Sequence, residues 1–275
     1  MALRRWQRLL QRVGPRAMVS APAVWGKLPE QGDFVHYRSS MTERQAWQDW
    51  AQTLLEPAPL QHMPRKRRLG QTAASAASGW MHLEPQPGAQ SPGALPVAFV
   101  LPPGNMPFAP QHCVQGVVLA SQDRVGRACP LVIYQCASPA WMQRLWAEGA
   151  AMGGQDLLFW WARMAVSIVH GHTPWNAWVS LFDQVWQAHA PGWRQQWLGG
   201  MPGKVAPDKM HALLGPLQPD DPADYCTGVD HLPWVNWPQQ LWQGPKSQAA
   251  YWTQDSAGRY AQASRHLTEI WGRQP

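Results

Sequence analysis

The apolar positions of this chain change their spacing from one stretch to the next. Residues 24–28 and 33–37 are short apolar runs around the turn Pro29-Glu30-Gln31-Gly32, which predicts two strands or a strand and its return. The period then lengthens. Trp47, Trp50, Leu54 and Leu55 fall at i, i+3, i+7 and i+8, the spacing of one helix face, and Pro57 stops it. Ser40 stands three residues before Glu43, the spacing of a capping box at the start of that helix. Residues 58–94 show no sustained period and read as a long loop containing the run Arg65-Lys66-Arg67-Arg68.

Strand patterns return with PVAFVL (96–101), CVQGVVLA (113–120) and PLVIYQCA (130–137). The short charged loop between the last two predicts an antiparallel hairpin. Their unbroken cores VVL and LVI predict strands covered on both faces. Helices are predicted from Ser138-Pro139 to about Gly149, over 155–170, and from Thr173-Pro174 to Pro191. In the third, Trp175, Trp178, Val179, Phe182, Val185 and Trp186 make a stripe at steps of three and four. Beyond it the pattern predicts a short helix near 207–214 and a late strand at 249–253, and leaves 258–272 ambiguous.

Composition narrows the class. The chain has 275 residues, 45% apolar and 15% charged, enough for one large domain or two modest ones and unlike a disordered chain. Its 19 tryptophans imply extensive packing, and any exposed subset would suit a partner surface. The formal charge of +6 is unevenly spread. Five arginines lie in residues 1–16 and four basic residues at 65–68; without them 14 positive side chains face 17 negative ones. The body is mildly acidic, which argues against a nucleic-acid-binding fold, and the run at 65–68 reads as a solvated loop. Cys113, Cys129, Cys136 and Cys226 form no CxxC pair and have no zinc-ligand spacing, so a reduced, cytosolic protein is expected. No segment reaches 18 apolar residues, so no transmembrane helix is expected. Residues 1–13 have Trp6, Leu9, Leu10 and Val13 on one side of a helix. Peripheral membrane contact through residues 1–16 is the weaker reading, an N-terminal extension the stronger, with Met1 and Met18 both open as the start.

Two stretches carry motifs. The first is Gly26-Lys27-Leu28-Pro29 followed by Gly32-Asp33-Phe34-Val35. The second begins with Leu101-Pro102-Pro103-Gly104 and continues through Gly116-Val117-Val118, Ser121, Asp123-Arg124-Val125-Gly126-Arg127 and Pro130-Leu131. In order and spacing they resemble the type VI secretion-associated TagF (ImpM) family, well over about 24–150 and weakly as far as Trp252-Thr253. The loop departs from that pattern in reading Leu119-Ala120-Ser121-Gln122-Asp123 without a proline, and residues 1–20 and the basic run are extra. The phosphatase domain fused to some members has no counterpart here. The resemblance implies a cytoplasmic repressor of type VI secretion, acting after translation by binding the forkhead-associated scaffold protein or another assembly component. It implies no enzyme activity and no cofactor.

The motif residues themselves admit three readings. Gly32 suits a tight turn, and Asp33 can bond local amides or meet Arg124 or Arg127 through a bidentate fork. Gly32, Asp33, Phe34, Ser121, Asp123, Arg124, Gly126 and Arg127 then form one polar cluster that knits two loops to the sheet. The functional reading makes the same cluster a partner-docking patch. A hydrolase-like site using the aspartates and arginines is the alternative from another class. His170 and His172 lack the further ligands of a metal site, and Asp220, Asp221 and Asp224 lack the Gly and terminal Glu of a calcium loop. Cys129 beside Arg127 reads as a small buried hydrophobe.

The expected fold is α/β. A mainly antiparallel central sheet of about five strands is flanked by helices, as in a longin- or profilin-like three-layer unit. The expected divisions are a basic extension (1–20), an α/β domain (21–170) and a more helical C-terminal part (171–275) packed on it.

Overall fold

The computed structural model describes residues 18–55, 95–147, 154–171, 173–192, 205, 207–215, 248–254 and 260–271. The expectations for residues 1–16, the 58–94 loop with its basic run, His172, Cys226 and the aspartates at 220–224 lie outside the described residues.

Strands β1 (Ala23–Gly26), β2 (Val35–Tyr37), β3 (Val97–Leu101), β4 (Cys113–Leu119), β5 (Leu131–Ala137), β6 (Ala250–Gln254) and β7 (Tyr260–Ser264) make one sheet. Its order is β2-β1-β5-β4-β3-β6-β7, and every neighbouring pair is antiparallel. The β4–β5 hairpin lies at its centre, with Val117 opposite Ile133 and Leu119 opposite Leu131. The described helices are α1 (Met41–Leu55), α2 (Pro139–Ala147), α3 (Gly154–His170), α4 (Trp175–His189), α5 (Pro207–Leu214) and α6 (Leu267–Ile270).

The unbroken apolar runs of the central strands have a direct cause: helices cover both faces. Successive side chains of a strand point to opposite sides. Val117, Leu119, Leu131 and Ile133 therefore join a core with Trp161 and Met164 of α3 and Trp178 and Phe182 of α4. Phe99, Val118, Val132 and Tyr134 join a second core with Trp47 of α1 and Leu267 and Ile270 of α6. The result is three layers, helix on sheet on helix.

Local signals act where they were expected. The capping box forms: the Ser40 amide donates to Glu43 Oε2 at 2.6 Å, and the Glu43 amide to Ser40 Oγ at 3.3 Å. Trp47, fully buried, then meets the rings of Trp50, Phe99, Phe108 and Tyr134 at centroid distances of 5.0–6.0 Å. From Leu157 to Val169 helix α3 is buried at every position but Ser167, because it lies between the sheet and α4. The Trp178 indole N–H donates to the Met164 carbonyl at 2.9 Å and ties α4 to α3.

The sheet has seven strands rather than about five. In the ambiguous 258–272 region, Tyr260–Ser264 is a strand. Its residues YAQAS carry no strong alternation, and it is drawn into the sheet by pairing with β6. The late strand β6 pairs with β3 and with β7, so these two strands extend the same sheet. The run expected at 33–37 becomes a strand only at Val35, which leaves Asp33 and Phe34 in the turn before it. Among the described residues no helix is long and apolar enough to cross a membrane.

Candidate functional site

The first motif stretch and the Ser121–Arg127 part of the second meet at one end of the sheet, on the turn of the β4–β5 hairpin and the connection from β1 to β2; Leu101-Pro102-Pro103-Gly104 lies at the other end, where Leu101 pairs with Val114. The hairpin turn is tight. The Gly126 amide donates to the Asp123 carbonyl at 2.9 Å, and the Asp123 amide to the Arg127 carbonyl at 3.1 Å. Gly126 has φ +85°, a conformation costly for any residue with a Cβ, so this corner of the turn calls for glycine.

Asp123 organises what surrounds it. It is buried at 1% exposure and its carboxylate receives four donors. Lys27 Nζ at 2.9 Å and Arg127 Nε at 2.6 Å reach Oδ2; the amides of Val125 (3.1 Å) and Arg127 (2.8 Å) reach Oδ1. Burial alone would raise its pKa. The Lys27 ammonium, the Arg127 amide and guanidinium and the Val125 amide outweigh that and hold the carboxyl well below the usual range. Asp123 is thus an ionised acceptor near neutrality, with both oxygens committed.

Further bonds fasten the first stretch to the second. Ser121 Oγ donates to the Lys27 carbonyl at 2.8 Å, the Arg124 amide to the Gln31 carbonyl at 2.9 Å, and Arg127 Nη2 to the Gly32 carbonyl at 3.0 Å. Lys27 is itself buried, with its ammonium 5.1 Å from the Phe34 ring centroid. Phe34 stacks on Trp25 at 5.2 Å and 24°. A rigid platform results, with Trp25 below, the Lys27–Asp123–Arg127 ion cluster beside it, and Phe34 on top.

Two expectations change in detail. In the linear chain Asp33 can meet Arg124 or Arg127. Among the described residues Asp33 makes no ion pair and is exposed, because the chain is still in its turn there and Asp123 already occupies Arg127. The cation that completes the cluster is Lys27, absent from the expected site residues. Its signal was a lysine between Trp25 and Leu28, both buried, within a motif otherwise read as turn chemistry.

The outer surface is mixed. Phe34 is 42% and Val125 68% exposed, and Arg124, Arg127 and Asp33 are exposed around them. Next to the turn, a small depression of about 20 Å³ is lined by Leu54, Ser121, Cys129, Pro130 and Trp271 among others. Its polar groups are already engaged or inert. The Ser121 hydroxyl is donated to Lys27, and burial pushes the Cys129 thiol up to about 12, with Lys27 opposing the shift and Asp123 adding to it. A thiol with that value is almost wholly protonated near neutrality, as befits a small buried hydrophobe rather than a nucleophile.

A separate polar cluster ties the edge of the sheet to α4. Tyr37 Oη donates to Asp183 Oδ2 at 2.8 Å, and Arg38, at φ +58°, pairs with Asp183 Oδ1 at 3.1 Å. His170 ends α3 on the surface. Among the described residues no group of three or more His, Cys, Asp or Glu side chains is placed to hold a metal ion.

No protein-family model matches the chain, and no curated protein sequence matches it. Among solved structures the chain is similar to the crystal structure of PA0076 from Pseudomonas aeruginosa PAO1, at 17% identity over 90% of each chain. The TM-score is 0.35, a likeness too low to carry an argument.

Proposed function

We propose that this chain is a cytoplasmic regulator of type VI secretion of the TagF (ImpM) kind. In this reading it represses the system after translation by docking on its forkhead-associated scaffold protein, or on another assembly component, and holding it inactive. The observation that carries the reading is the union of the two motif stretches, Lys27 with Asp123 across 96 residues, into one braced platform with Phe34, Val125 and Arg124 on its outside. A braced loop pair with exposed anchors suits docking, because little side-chain or loop freedom is lost on binding.

The hydrolase-like alternative draws no comparable support. A general acid or base must exchange a proton near working pH. Asp123 is held far below that range, with four donors on its oxygens. The neighbouring depression offers a protonated thiol and a committed hydroxyl.

The test is a calorimetric titration of the forkhead-associated scaffold from the same secretion system into the wild type and into Arg124→Ala. Saturable binding that is weakened in a folded variant is the expected result. Full binding by the variant moves the contact off this surface. No binding by the wild type removes direct scaffold docking.

A further inference from the structure

The two loops joined through Asp123 carry side chains that the fold leaves partly or largely uncovered. Phe34 and Val125 are two of the three large apolar side chains that stand exposed among the described residues. Arg124 and Asp33 are exposed as well, and among the described residues neither makes an ion pair. Their backbones are nonetheless held in place. The Arg124 amide is bonded to Gln31, and the Gly32 carbonyl beside Asp33 is bonded to Arg127. The Arg124 guanidinium passes over Gly32, 3.9 Å from where a Cβ would stand, so the two opposite charges share one patch without neutralising each other by contact.

This combination constrains a partner. A uniformly acidic surface would satisfy Arg124 and repel Asp33; a uniformly basic one would do the reverse. The fitting surface has apolar groups beside one unpaired charge of each sign, which is a description of the patch itself, since Arg127, also exposed, is already paired with Asp123. A two-fold axis through such a patch makes every contact twice, with residue i of one copy on residue j of the other and the converse. We propose that the patch is self-complementary. A second copy of this chain packs on it, with Phe34 and Val125 of both copies at the centre and each Arg124 facing Asp33 of the other copy. The ion cluster of Lys27, Asp123 and Arg127 stays inside each copy and braces the contact.

The test is charge reversal in the full chain, read by sedimentation velocity over a concentration series up to about 200 μM, enough to populate a contact of micromolar Kd. The wild type is expected to show a dimer that weakens with added salt. Arg124→Asp alone and Asp33→Arg alone are each expected to weaken it at least about tenfold, because each sets like charges face to face twice. Mixed in equal amounts, the two variants are expected to associate again, since every pair is then of opposite sign. A wild type that stays monomeric overturns the proposal. So does a single reversal that dimerises like the wild type, or a mixture that stays monomeric. Should a reversal variant fail to fold, Val125→Asp serves instead: its side chain is 68% exposed, and it is expected to leave a folded monomer. A folded Val125→Asp that still dimerises overturns the proposal. These measurements contain no scaffold protein, so their failure and that of the scaffold titration are separate results.

Discussion

Phe34→Ala probes the outer surface at its apolar centre, and the structure sets the size of the effect. The residue is 42% exposed, and the remainder lies on Trp25 and the Lys27 ammonium. A covered aromatic side chain buries on the order of 200 Å². Roughly 80 Å² of Phe34 is then still free and roughly 120 Å² already covered. At ~25 cal/mol per Å², covering the free part contributes about 2 kcal/mol to any partner that does so. The covered part corresponds to about 3 kcal/mol as an upper bound. Alanine retains some contact and the unfolded chain already hides some of the ring, so the loss in folding comes to about 1–2 kcal/mol. Phe34→Ala should therefore melt a few degrees below the wild type, remain folded, and bind the scaffold about 30-fold more weakly; in the two-fold dimer, where both rings are lost, the loss is about 4 kcal/mol, or roughly 1,000-fold. Thermal unfolding followed by circular dichroism measures the first effect. Titration with the scaffold, and sedimentation for the second copy, measure the other. A folded Phe34→Ala protein that makes both contacts within threefold of the wild type would refute the assignment of Phe34 as a docking anchor. A protein that fails to fold would refute the area argument, since the ring would then be holding far more than its contacts show.

Three other perturbations separate the fold from the surface. In Gly116→Ala the new methyl would lie 2.1 Å from the Ile133 carbonyl oxygen and 2.7 Å from Phe99 Cζ, so the central hairpin must part. Overpacking of this kind costs about 1–3 kcal/mol, and an unchanged melting temperature would show that the strands yield freely. Lys27→Met removes one of the two cations on the buried Asp123 carboxylate. Because that carboxyl is held below its usual range, its stabilising effect is complete above about pH 4 and is lost as the pH falls from there. The variant should have a lower urea midpoint at neutral pH and a smaller further loss toward about pH 2.5 than the wild type. His189 is buried, with Nδ1–H donated to the Val185 carbonyl at 2.8 Å and no hydrogen bond to Nε2 among the described residues. Burial depresses its pKa, the Val185 carbonyl opposing and Lys209 adding to the effect. Its folded form therefore keeps full stability above about pH 6.5 and loses stability as the pH falls below that, and His189→Phe should flatten this slope in urea midpoints taken at about pH 7.5 and pH 5.5.

What the sequence determined by itself is what neighbouring residues settle among themselves. The capping box at Ser40 and Glu43 and the helical face of Trp47, Trp50 and Leu54 depend on residues within a few turns of one another, and they stand where the pattern placed them. So does the β4–β5 hairpin, whose short loop leaves its strands little choice but to pair. The apolar runs VVL and LVI announced cover on both faces, which the two cores provide. Strand β7 was not legible, because YAQAS carries too little apolar signal and becomes a strand by bonding to β6. The site shows the same division. Gly126 and the aspartate beginning its turn are local features, and their residue types named them. Which carboxylate would be buried, and by which cation, depended on β1 lying beside β5, a pairing that brings Lys27 to Asp123 across 96 residues. Asp33 and Asp123 look equally able to take an arginine in the linear chain. Only the tertiary structure separates them: it buries Asp123 among four donors, where the desolvation of its charge is offset, and leaves Asp33 in water, where its charge needs no partner.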